Sequence, residues 1–375
     1  CAIAEVKAGE ARLWTGSQKS HYGRDGCAKA AGLAPNQVRA TWVMGPGSYG
    51  RNDAGDAAHD ATHLSQLTGR PVRVQYMRHE GTGWDPKGPA AVFRGRAGLD
   101  AAGNVVAYEF HGKGFSRQEI ATNESDPKDT LSGQLTDWTG KPTIIFSHPS
   151  EEYGFGNKRC SWETIPAMLD RASPLRTSHF RDPLGPETHF ASESFIDEVA
   201  HAAGVDPVAF RLRYLAHDSR HSAVVKAVAE KARWQAKPNP NRGKGDIMIG
   251  RGVSYTERNG TVVAMIAEVE VERSSGRVWA KKFTVAHDCG QIINPGGLKL
   301  TIEGNVCHAL SRTLFEEVRF DTNNVRSVDW ATYPILELSD APESVDIVLI
   351  NRPEMAPQGA GEPSHRTVPG AIANA

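Results

Sequence analysis

The segment Thr261–Val271, TVVAMIAEVEV, decides the fold class of this chain. A short turn containing glycine separates it from a second β-rich segment, Arg277–Ala286, and this arrangement predicts a β-hairpin. A helical pattern runs next from about Gly297 to Leu314, and further β-rich segments follow near 317–320 and 345–350. Strands, a helix and more strands in this order favour an α+β lobe.

A similar order of elements occurs in the first part of the chain. Helical periodicity covers 20–31, with the helix ending at Gly32, and 53–67. Alternation of apolar and polar residues predicts six strands around these helices: 2–6, 11–14, 38–43, 72–76, 91–99 and 105–110. The last two are expected to pair as a hairpin across the turn at 100–104. This first part therefore also reads as an α+β lobe.

Three helical patterns, at 187–203, 206–215 and 223–234, separate the first part from the hairpin. We therefore predict an α+β fold in which two two-layer α/β lobes are joined by a helical segment. A polar stretch from about 116 to 161 is long enough to be a functional loop that wraps over a neighbouring surface. The predicted boundaries enclose a first lobe with this loop, the helical segment with its linker, and a second lobe: 1–172, 173–245 and 246–375.

Composition excludes several classes of protein. The 375 residues suffice for two or three cores. With 43 basic and 44 acidic residues and no basic run interleaved with aromatics, nothing indicates a nucleic-acid partner. No apolar stretch approaches the roughly 18 residues of a membrane span. The cysteines form no Cys-x-x-Cys pair that would hold zinc or an iron-sulfur cluster: Cys1, Cys27, Cys160, Cys289 and Cys307.

The ends of the sequence suggest a portion of a larger polypeptide. The chain begins at Cys1, inside an alternating pattern, and stops at Ala375, inside a helical pattern. We therefore expect a fragment or a processed portion of that polypeptide. If electrons leave this protein, another chain or domain must carry them.

One carboxylate stands out as a candidate for catalysis. Glu362 lies in the glycine-rich turn Gln358–Pro363, just before an apolar helical pattern at 368–373. Glycines on its amino side permit close approach of a ligand to the backbone. Taken alone, the same pattern also suits an ordinary surface glutamate.

Other motifs are individually weak. The loop Gly45–Arg51 opens a predicted helix and could cradle an anion, but it lacks the glycine spacing of a dinucleotide-binding motif. His287, Asp288 and Cys289 are potential metal ligands, yet adjacent strand residues point to opposite faces of a sheet. Arg181 is either a surface arginine or an anion ligand. None of these motifs identifies a function by itself.

Seven segments in one order are more specific than any of them alone: Gly45–Arg51, Pro174–Arg181, Phe190–Glu198, Gly250–Val253, Asp288–Pro295, Ile302–Asn305 and Gly359–Pro363. The ordered set resembles the second half of the molybdopterin-binding large subunit of the molybdenum hydroxylases, the family of xanthine dehydrogenase and aldehyde oxidoreductase. The resemblance covers nearly the whole chain. It is closest to the bacterial branch of isoquinoline oxidoreductase and nicotinate dehydrogenase.

The resemblance implies a molybdenum cofactor and a catalytic base. Molybdenum would be held by the pterin dithiolene, with no ligand from the protein, and the pterin could be in its cytosine dinucleotide form. Glu362 would act as general base, with water as the source of oxygen. The residues matching cofactor-binding positions are Gly47, Ser48, Tyr49, Gly50, Arg181, Thr301, Gly359, Ala360 and Gly361.

This chain departs from the family pattern at three of these places. Tyr49 replaces a phenylalanine, and Asp182–Gly185 replaces a run of small residues that follows Arg181. Thr301 replaces a glutamine that bonds the pterin, so that contact is lost or bridged by water. The resemblance therefore does not determine the shape of the pocket at these positions.

The resemblance also implies partners. The family's Gly-Gln-Gly cofactor motif is absent, so the remaining half of the large subunit must complete the cleft. A small subunit with 2Fe-2S clusters would accept the electrons, and a c-type cytochrome could follow it. We expect a periplasmic location, or the periplasmic face of the inner membrane, with the cytoplasm as the alternative.

Three hypotheses for function follow. The first is oxidative hydroxylation of an N-heteroaromatic compound, and the second keeps the same chemistry with an aldehyde as substrate. The third is a non-catalytic assembly chain that retains the fold, although such a chain would be free to lose Glu362. Three aromatic residues either stack on a flat substrate or pack structurally: Trp84, Phe115 and Trp162.

Overall fold

The computed structural model describes residues 1–45, 47–50, 56–116, 124–127, 152–165, 175, 177–236 and 245–375. These residues form three mixed sheets with helices packed against them, which confirms the predicted α+β class. No helix in the described ranges is long and apolar enough to cross a membrane.

The first sheet has four strands in the order β3-β2-β1-β4. The strands are β1 (Ala2–Lys7), β2 (Glu10–Thr15), β3 (Val38–Trp42) and β4 (Val72–Val74). Small side chains let two helices pack closely on this sheet, with Ala4, Leu13, Cys27 and Ala61 among the buried residues. The helices are α1 (Ser20–Ala31) and α2 (Ala57–Thr68).

Sequence periodicity predicted α1 correctly, but it did not predict the short helix that follows α2. Helix α1 ends as predicted at Gly32, whose φ of 69° is the left-handed conformation that glycine adopts at little cost. The start predicted for α2, at residue 53, lies outside the described residues. Helix α3 (Arg78–Trp84) was not predicted, because its sequence RHEGTGW has two glycines and no apolar period.

The second sheet contains β5 (Ala91–Leu99), β6 (Val105–Phe115) and β7 (Lys158–Ile165). The β5–β6 hairpin was predicted, whereas β7 overlaps the end of the predicted loop at 116–161, so that loop assignment is wrong from residue 158 onward. Strand β7 pairs in parallel with β6, and a partner so distant in sequence leaves no local signal. Residues 117–123 and 128–151 of the predicted loop lie outside the described residues.

The third sheet is built on the predicted hairpin. It has the order β11-β10-β9-β8, where β8 is Ile247–Arg258, β9 is Thr261–Glu272, β10 is Val278–Asp288 and β11 is Ser344–Leu349. Strand β8 was missed by the sequence analysis. The strand predicted near 317–320 is wrong, since Phe320 forms only an isolated bridge with Val325.

Helices cover both faces of the third sheet. Helix α4 (Gly185–Ala202) lies alongside the edge strand β8, and α5 (Pro207–Tyr214) and α6 (Ser219–Lys231) lie on one face. On the other lie α7 (Pro295–Leu314) and α8 (Pro363–Asn374). Both faces are apolar, as expected for a sheet buried on two sides.

Helix α8 rests directly on the backbone of β8. A Cβ atom at Gly250 would lie 1.6 Å from the carbonyl oxygen of Ala375, and one at Gly252 would lie 2.3 Å from that of Ala371. Only glycine permits this approach at either position. The contact fixes the axis of α8, and therefore the place of Glu362 at its amino end.

A buried ionic network ties α4 and α5 to β8. Arg211 is fully buried, and its Nε donates to Oε2 of Glu193 over 3.0 Å. The same carboxylate accepts from the Tyr153 hydroxyl at 2.7 Å and from the Tyr255 amide at 2.8 Å. A buried ion pair is tolerated only when its groups are paired in this way. The network gives the segment 190–198 a structural role.

Candidate active site around Glu362

Glu362 occupies the position immediately before α8, and both of its carboxylate oxygens have donors. Oε1 accepts a hydrogen bond from the backbone N–H of Asp182 at 3.1 Å, and Oε2 pairs with Nη1 of Arg258. The side chain is 33% exposed. A carboxylate at the amino end of a helix is also favoured by the helix dipole. The glutamate singled out by the sequence is therefore fixed, yet still reachable from solvent.

Both partners of Glu362, Asp182 and Arg258, belong to a larger charged group. Asp182, whose side chain is fully buried, accepts from Nη1 of Arg258 at 2.7 Å and from Nε of Arg366 at 2.9 Å. Its φ of 57° is uncommon for a residue other than glycine and marks a constrained turn before α4. Asp182, Arg258, Glu362 and Arg366 form what we call the charged chain.

Three members of the charged chain were not predicted from the sequence. Arg258 follows no motif, and Asp182 was noted only as a departure from the family pattern. Arg366 could have been found, because it lies four residues after Glu362 and therefore near it on a helix.

Arg181 joins the glycine-rich turn to the aromatic loop at Tyr49. Its Nη2 donates to the carbonyl oxygen of Gly361 at 2.7 Å, and its guanidinium lies 5.0 Å from the centroid of the Tyr49 ring. Arg312 in turn donates to the carbonyl oxygen of Arg181 at 2.9 Å. Three of the predicted site residues, Tyr49, Arg181 and Gly361, are thus brought together beside Glu362.

Two histidines that the sequence analysis did not select lie next to this group. The rings of His308 and His365 are 5.3 Å apart, and the His308 ring is 5.0 Å from that of Tyr49. Burial and the charges of Arg181 and Arg312 lower the pKa of His308 to about 4. Burial and nearby cations also lower the pKa of His365 well below its usual value. Both rings are therefore neutral near pH 7.

Several nitrogens of these two rings are available to a ligand. Among the described residues, neither nitrogen of the fully buried His365 has a hydrogen-bond partner, and Nδ1 of His308 has none. A neutral imidazole offers one donor and one acceptor. Buried polar atoms without partners are uncommon and call for water or a ligand.

A cavity of about 1210 Å³ adjoins the site. Gly47 and Ser48 line it, together with Phe180, Glu187 and Arg312. Its size is somewhat above the range of about 300–1,000 Å³ that is usual for small-molecule and cofactor sites. The cavity connects the aromatic loop to Arg312, which holds Arg181 in place.

The loop at 47–50 has little freedom to change. Tyr49 has a φ of 47° and Gly50 a φ of 100°. A Cβ atom at Gly50 would lie 2.5 Å from the carbonyl oxygen of His179, which no side chain could tolerate. By contrast, a Cβ atom at Gly359 or Gly361 would meet nothing within 4 Å, so open space adjoins the turn that carries Glu362.

Three other predicted site residues make contacts within the fold. Thr301 donates from its hydroxyl to the carbonyl oxygen of Gly297 at 2.9 Å, and it lies about 10 Å along α7 from His308. The carbonyl oxygen of Gly359 accepts from the Thr261 hydroxyl at 2.8 Å. Ala360 packs against the apolar core of the third sheet. Cofactor contacts for these residues stay predictions.

The aromatic residues considered for substrate stacking have different surroundings. Phe115 lines the cavity. Trp162 packs on Phe93, with ring centroids 6.2 Å apart, and so belongs to the second sheet. Trp84 is 46% exposed and is not among the residues lining the cavity.

The adjacent residues His287 and Asp288 have different surroundings. Asp288 is buried and paired with Arg220 at 2.7 Å and with Arg352 at 2.5 Å. His287 shares the alternation of Phe283 and Val285, which face α7 and α8. In the ranges described by the structure, no group of three or more His, Cys, Asp or Glu side chains is placed to bind a metal ion.

Comparisons with known proteins agree with this arrangement. Residues 1–113 and residues 191–342 each match a family model described as a molybdopterin cofactor-binding domain. The chain is 34% identical to the B subunit of nicotinate dehydrogenase from Pseudomonas putida, covering 100% of this chain and 31% of that protein. It is 25% identical to the beta subunit of isoquinoline 1-oxidoreductase from Brevundimonas diminuta, covering 89% of this chain and 41% of that protein.

A solved structure has the same fold. Quinoline 2-oxidoreductase from Pseudomonas putida 86 superimposes with a TM-score of 0.77 at 13% identity, covering 100% of this chain and 70% of that chain. The chain spans less than half the length of the two curated relatives described above. The predicted family is confirmed by these matches: the chain belongs to the molybdenum hydroxylases, as a cofactor-binding portion of their large subunit.

Proposed function

We propose that this chain is part of a molybdenum hydroxylase that oxidises an N-heteroaromatic compound and takes the inserted oxygen from water. The observation that carries the proposal is Glu362, a partly exposed carboxylate with both oxygens fixed. Arg181, bonded to the neighbouring Gly361, is itself held by the cavity residue Arg312. A general base needs this combination of fixed orientation and access to the reacting atoms.

The residues of the site fit a bound molybdopterin, which carries a phosphate group and several hydrogen-bonding atoms. Arg181 and Arg312 place guanidinium groups beside the cavity, where a phosphate group could bind. The unpartnered nitrogens of His308 and His365 offer donors and acceptors. Open space beside Gly359 and Gly361 leaves room for close approach to the backbone.

The residues of this chain would have different roles at the site. Gly47–Gly50 and Arg181 would hold the cofactor on one side, and Gly359–Gly361 on the other, with Thr301 at the edge. Glu362 would take the proton from the attacking oxygen at its carboxylate. The cofactor, with or without the cytosine dinucleotide extension, supplies Lewis acidity and accepts the electron pair when bound.

The reaction requires partners to remove electrons. Replacing a substrate hydrogen by a hydroxyl from water releases two electrons and two protons. We propose that the remaining half of the large subunit completes the cleft, that a 2Fe-2S small subunit takes the electrons, and that a c-type cytochrome can follow. Both curated relatives are named as one subunit of an enzyme, which supports such an assembly.

We also propose a cellular location for the complex. We place the complex on the periplasmic side of a bacterial inner membrane. Fractionation of cells into periplasm, membrane and cytoplasm, with the chain detected by antibody, tests this placement. Detection in the cytoplasmic fraction alone would contradict it.

The experiment that tests the function combines metal analysis with a Glu362→Gln variant of the full complex. We expect about one molybdenum per complex in both forms, with turnover reduced by at least about 100-fold in the variant, the range lost when a general base is removed. Glu354→Gln, which alters an exposed carboxylate eight residues earlier, is the matched control and should retain activity.

The substrate class is tested by assaying nicotinate, isoquinoline and simple aldehydes with an artificial electron acceptor. Turnover of the heterocycles supports the proposal, and turnover of aldehydes alone assigns the second hypothesis. A complex without molybdenum would favour a non-catalytic assembly chain. Full activity of Glu362→Gln would remove the role of Glu362.

A further inference from the structure

Arg258 makes an unusual pair of contacts beside the proposed base. A single nitrogen, Nη1, donates to Oδ1 of Asp182 at 2.7 Å and also pairs with Oε2 of Glu362. This nitrogen carries two hydrogens, so it can serve both carboxylates at once. Arg258 is the last residue of β8, and the strand sets where its side chain begins.

Asp182 prevents Arg258 from moving freely. The carboxylate of Asp182 is fully buried, and Arg366 binds it through Nε at 2.9 Å. Loss of Arg258 would leave part of a buried charge without its partner, which is costly. Arg258 is therefore anchored on one side by Asp182 and presents its second hydrogen to Glu362 from a fixed direction.

Glu362 is consequently held at two points. The Asp182 amide holds Oε1 and Arg258 holds Oε2, so the plane of the carboxylate is fixed. A carboxylate accepts at about four lone-pair positions, and the two donors leave the others free. A base that is fixed in the reactive orientation avoids the loss of rate that accompanies a misplaced group.

We propose that Arg258 is a positioning residue, which sets the direction in which Glu362 accepts a proton by bridging it to Asp182. This inference rests on the proposed function, since it assigns Arg258 a role only if Glu362 is the base. Arg258 itself touches neither substrate nor cofactor in this proposal. A purely structural role would instead lower stability without changing the turnover of the folded complex.

The test compares Arg258→Met, Arg258→Lys and a matched control in the full complex. The control is Arg277→Met, which removes an exposed arginine at the opposite hairpin of the same sheet, where it pairs with Asp340 at 3.1 Å. We expect Arg258→Met to retain molybdenum and to lose kcat by on the order of 10- to 100-fold, with KM changed little. Arg258→Lys should recover part of the loss, because one ammonium nitrogen can also donate to two carboxylates.

A crystal structure of Arg258→Met provides a readout independent of turnover. We expect the Glu362 carboxylate to rotate away from the Asp182 amide in that variant. If Arg258→Met does not fold, Arg258→Lys is judged by the same kinetic and structural measurements. The inference is overturned if the folded variant keeps the kcat of the unmodified complex, or if Glu362 has not moved although kcat has fallen.

The two proposals fail in different ways. If Glu362→Gln is inactive and Arg258→Met is fully active, the proposed function stands and only the role of Arg258 is lost. If Glu362→Gln is itself fully active, the proposed base is wrong, whatever Arg258→Met does.

Discussion

Arg181 and Gly361 are 180 residues apart in sequence, yet Nη2 of the arginine donates to the carbonyl oxygen of the glycine at 2.7 Å. This hydrogen bond holds the residue immediately before the proposed base. Because the donor is charged, such a bond contributes about 1.5–3 kcal/mol. Together with the bond from the Asp182 amide to Glu362, it links the segment after residue 174 directly to the glycine-rich turn.

Replacing Arg181 with methionine should therefore loosen the turn and lower kcat/KM. We expect a loss of about 10-fold or more, from the free energy of one charged hydrogen bond. Steady-state kinetics at equal molybdenum content is the appropriate measurement. Arg319→Met, which removes an exposed arginine, serves as the control. Unchanged kinetics in Arg181→Met would show that the turn holds its shape without this bond.

Gly50→Ala should destabilise the protein much more than Gly32→Ala. Both glycines have positive φ, 100° and 69° respectively, but only at Gly50 would the new Cβ meet a neighbour, the His179 carbonyl oxygen at 2.5 Å. A positive φ alone costs alanine roughly 1 kcal/mol. We expect Gly50→Ala to cost at least about 2 kcal/mol more than Gly32→Ala, measured as the free energy of unfolding in urea. Equal costs would contradict the packing of this loop against His179.

The stability of the protein should fall as pH drops from about 6.5 towards 4, in part because of His287. Burial lowers the pKa of His287 from 6.5 to about 4, and neither ring nitrogen has a partner among the described residues. In this window the unfolded chain binds a proton that the folded protein does not, so the free energy of unfolding decreases with falling pH. Above pH 6.5 the contribution of His287 is fully present.

A His287→Leu variant isolates this contribution. Its free energy of unfolding should depend less on pH, by up to about 3 kcal/mol between pH 7 and pH 4. Urea unfolding at several pH values gives the comparison, with His21→Gln on the exposed side of α1 as the control. An unchanged slope in His287→Leu would mean that His287 is protonated alike in the folded and unfolded chain.

Local patterns were sufficient to predict much of the fold. The hairpin of β9 and β10, the end of α1 at Gly32 and the turn at Glu362 each depend on residues close in sequence. Strand β7 could not be found in this way, because its partner β6 lies about fifty residues earlier and pairs in parallel.

The candidate site was predictable only in part for the same reason. Glu362 has a local motif, whereas its contacts to Arg258 and Asp182 span 104 and 180 residues. No periodicity encodes which arginine will meet which carboxylate across such distances. Thr301 was matched by family position alone, and its cofactor contact stays a prediction.

The two glycines under the carboxyl end of α8 influence the position of Glu362 at the other end of the helix. Helix α8 has 12 residues and is therefore about 18 Å long, with Gly250 and Gly252 under its carboxyl end and Glu362 at its amino end. A side chain added at either glycine would push the carboxyl end of α8 away from β8 and tilt the helix, including its amino end. The Gly250–Val253 segment thus affects the height and angle at which Glu362 is presented, through the position of α8.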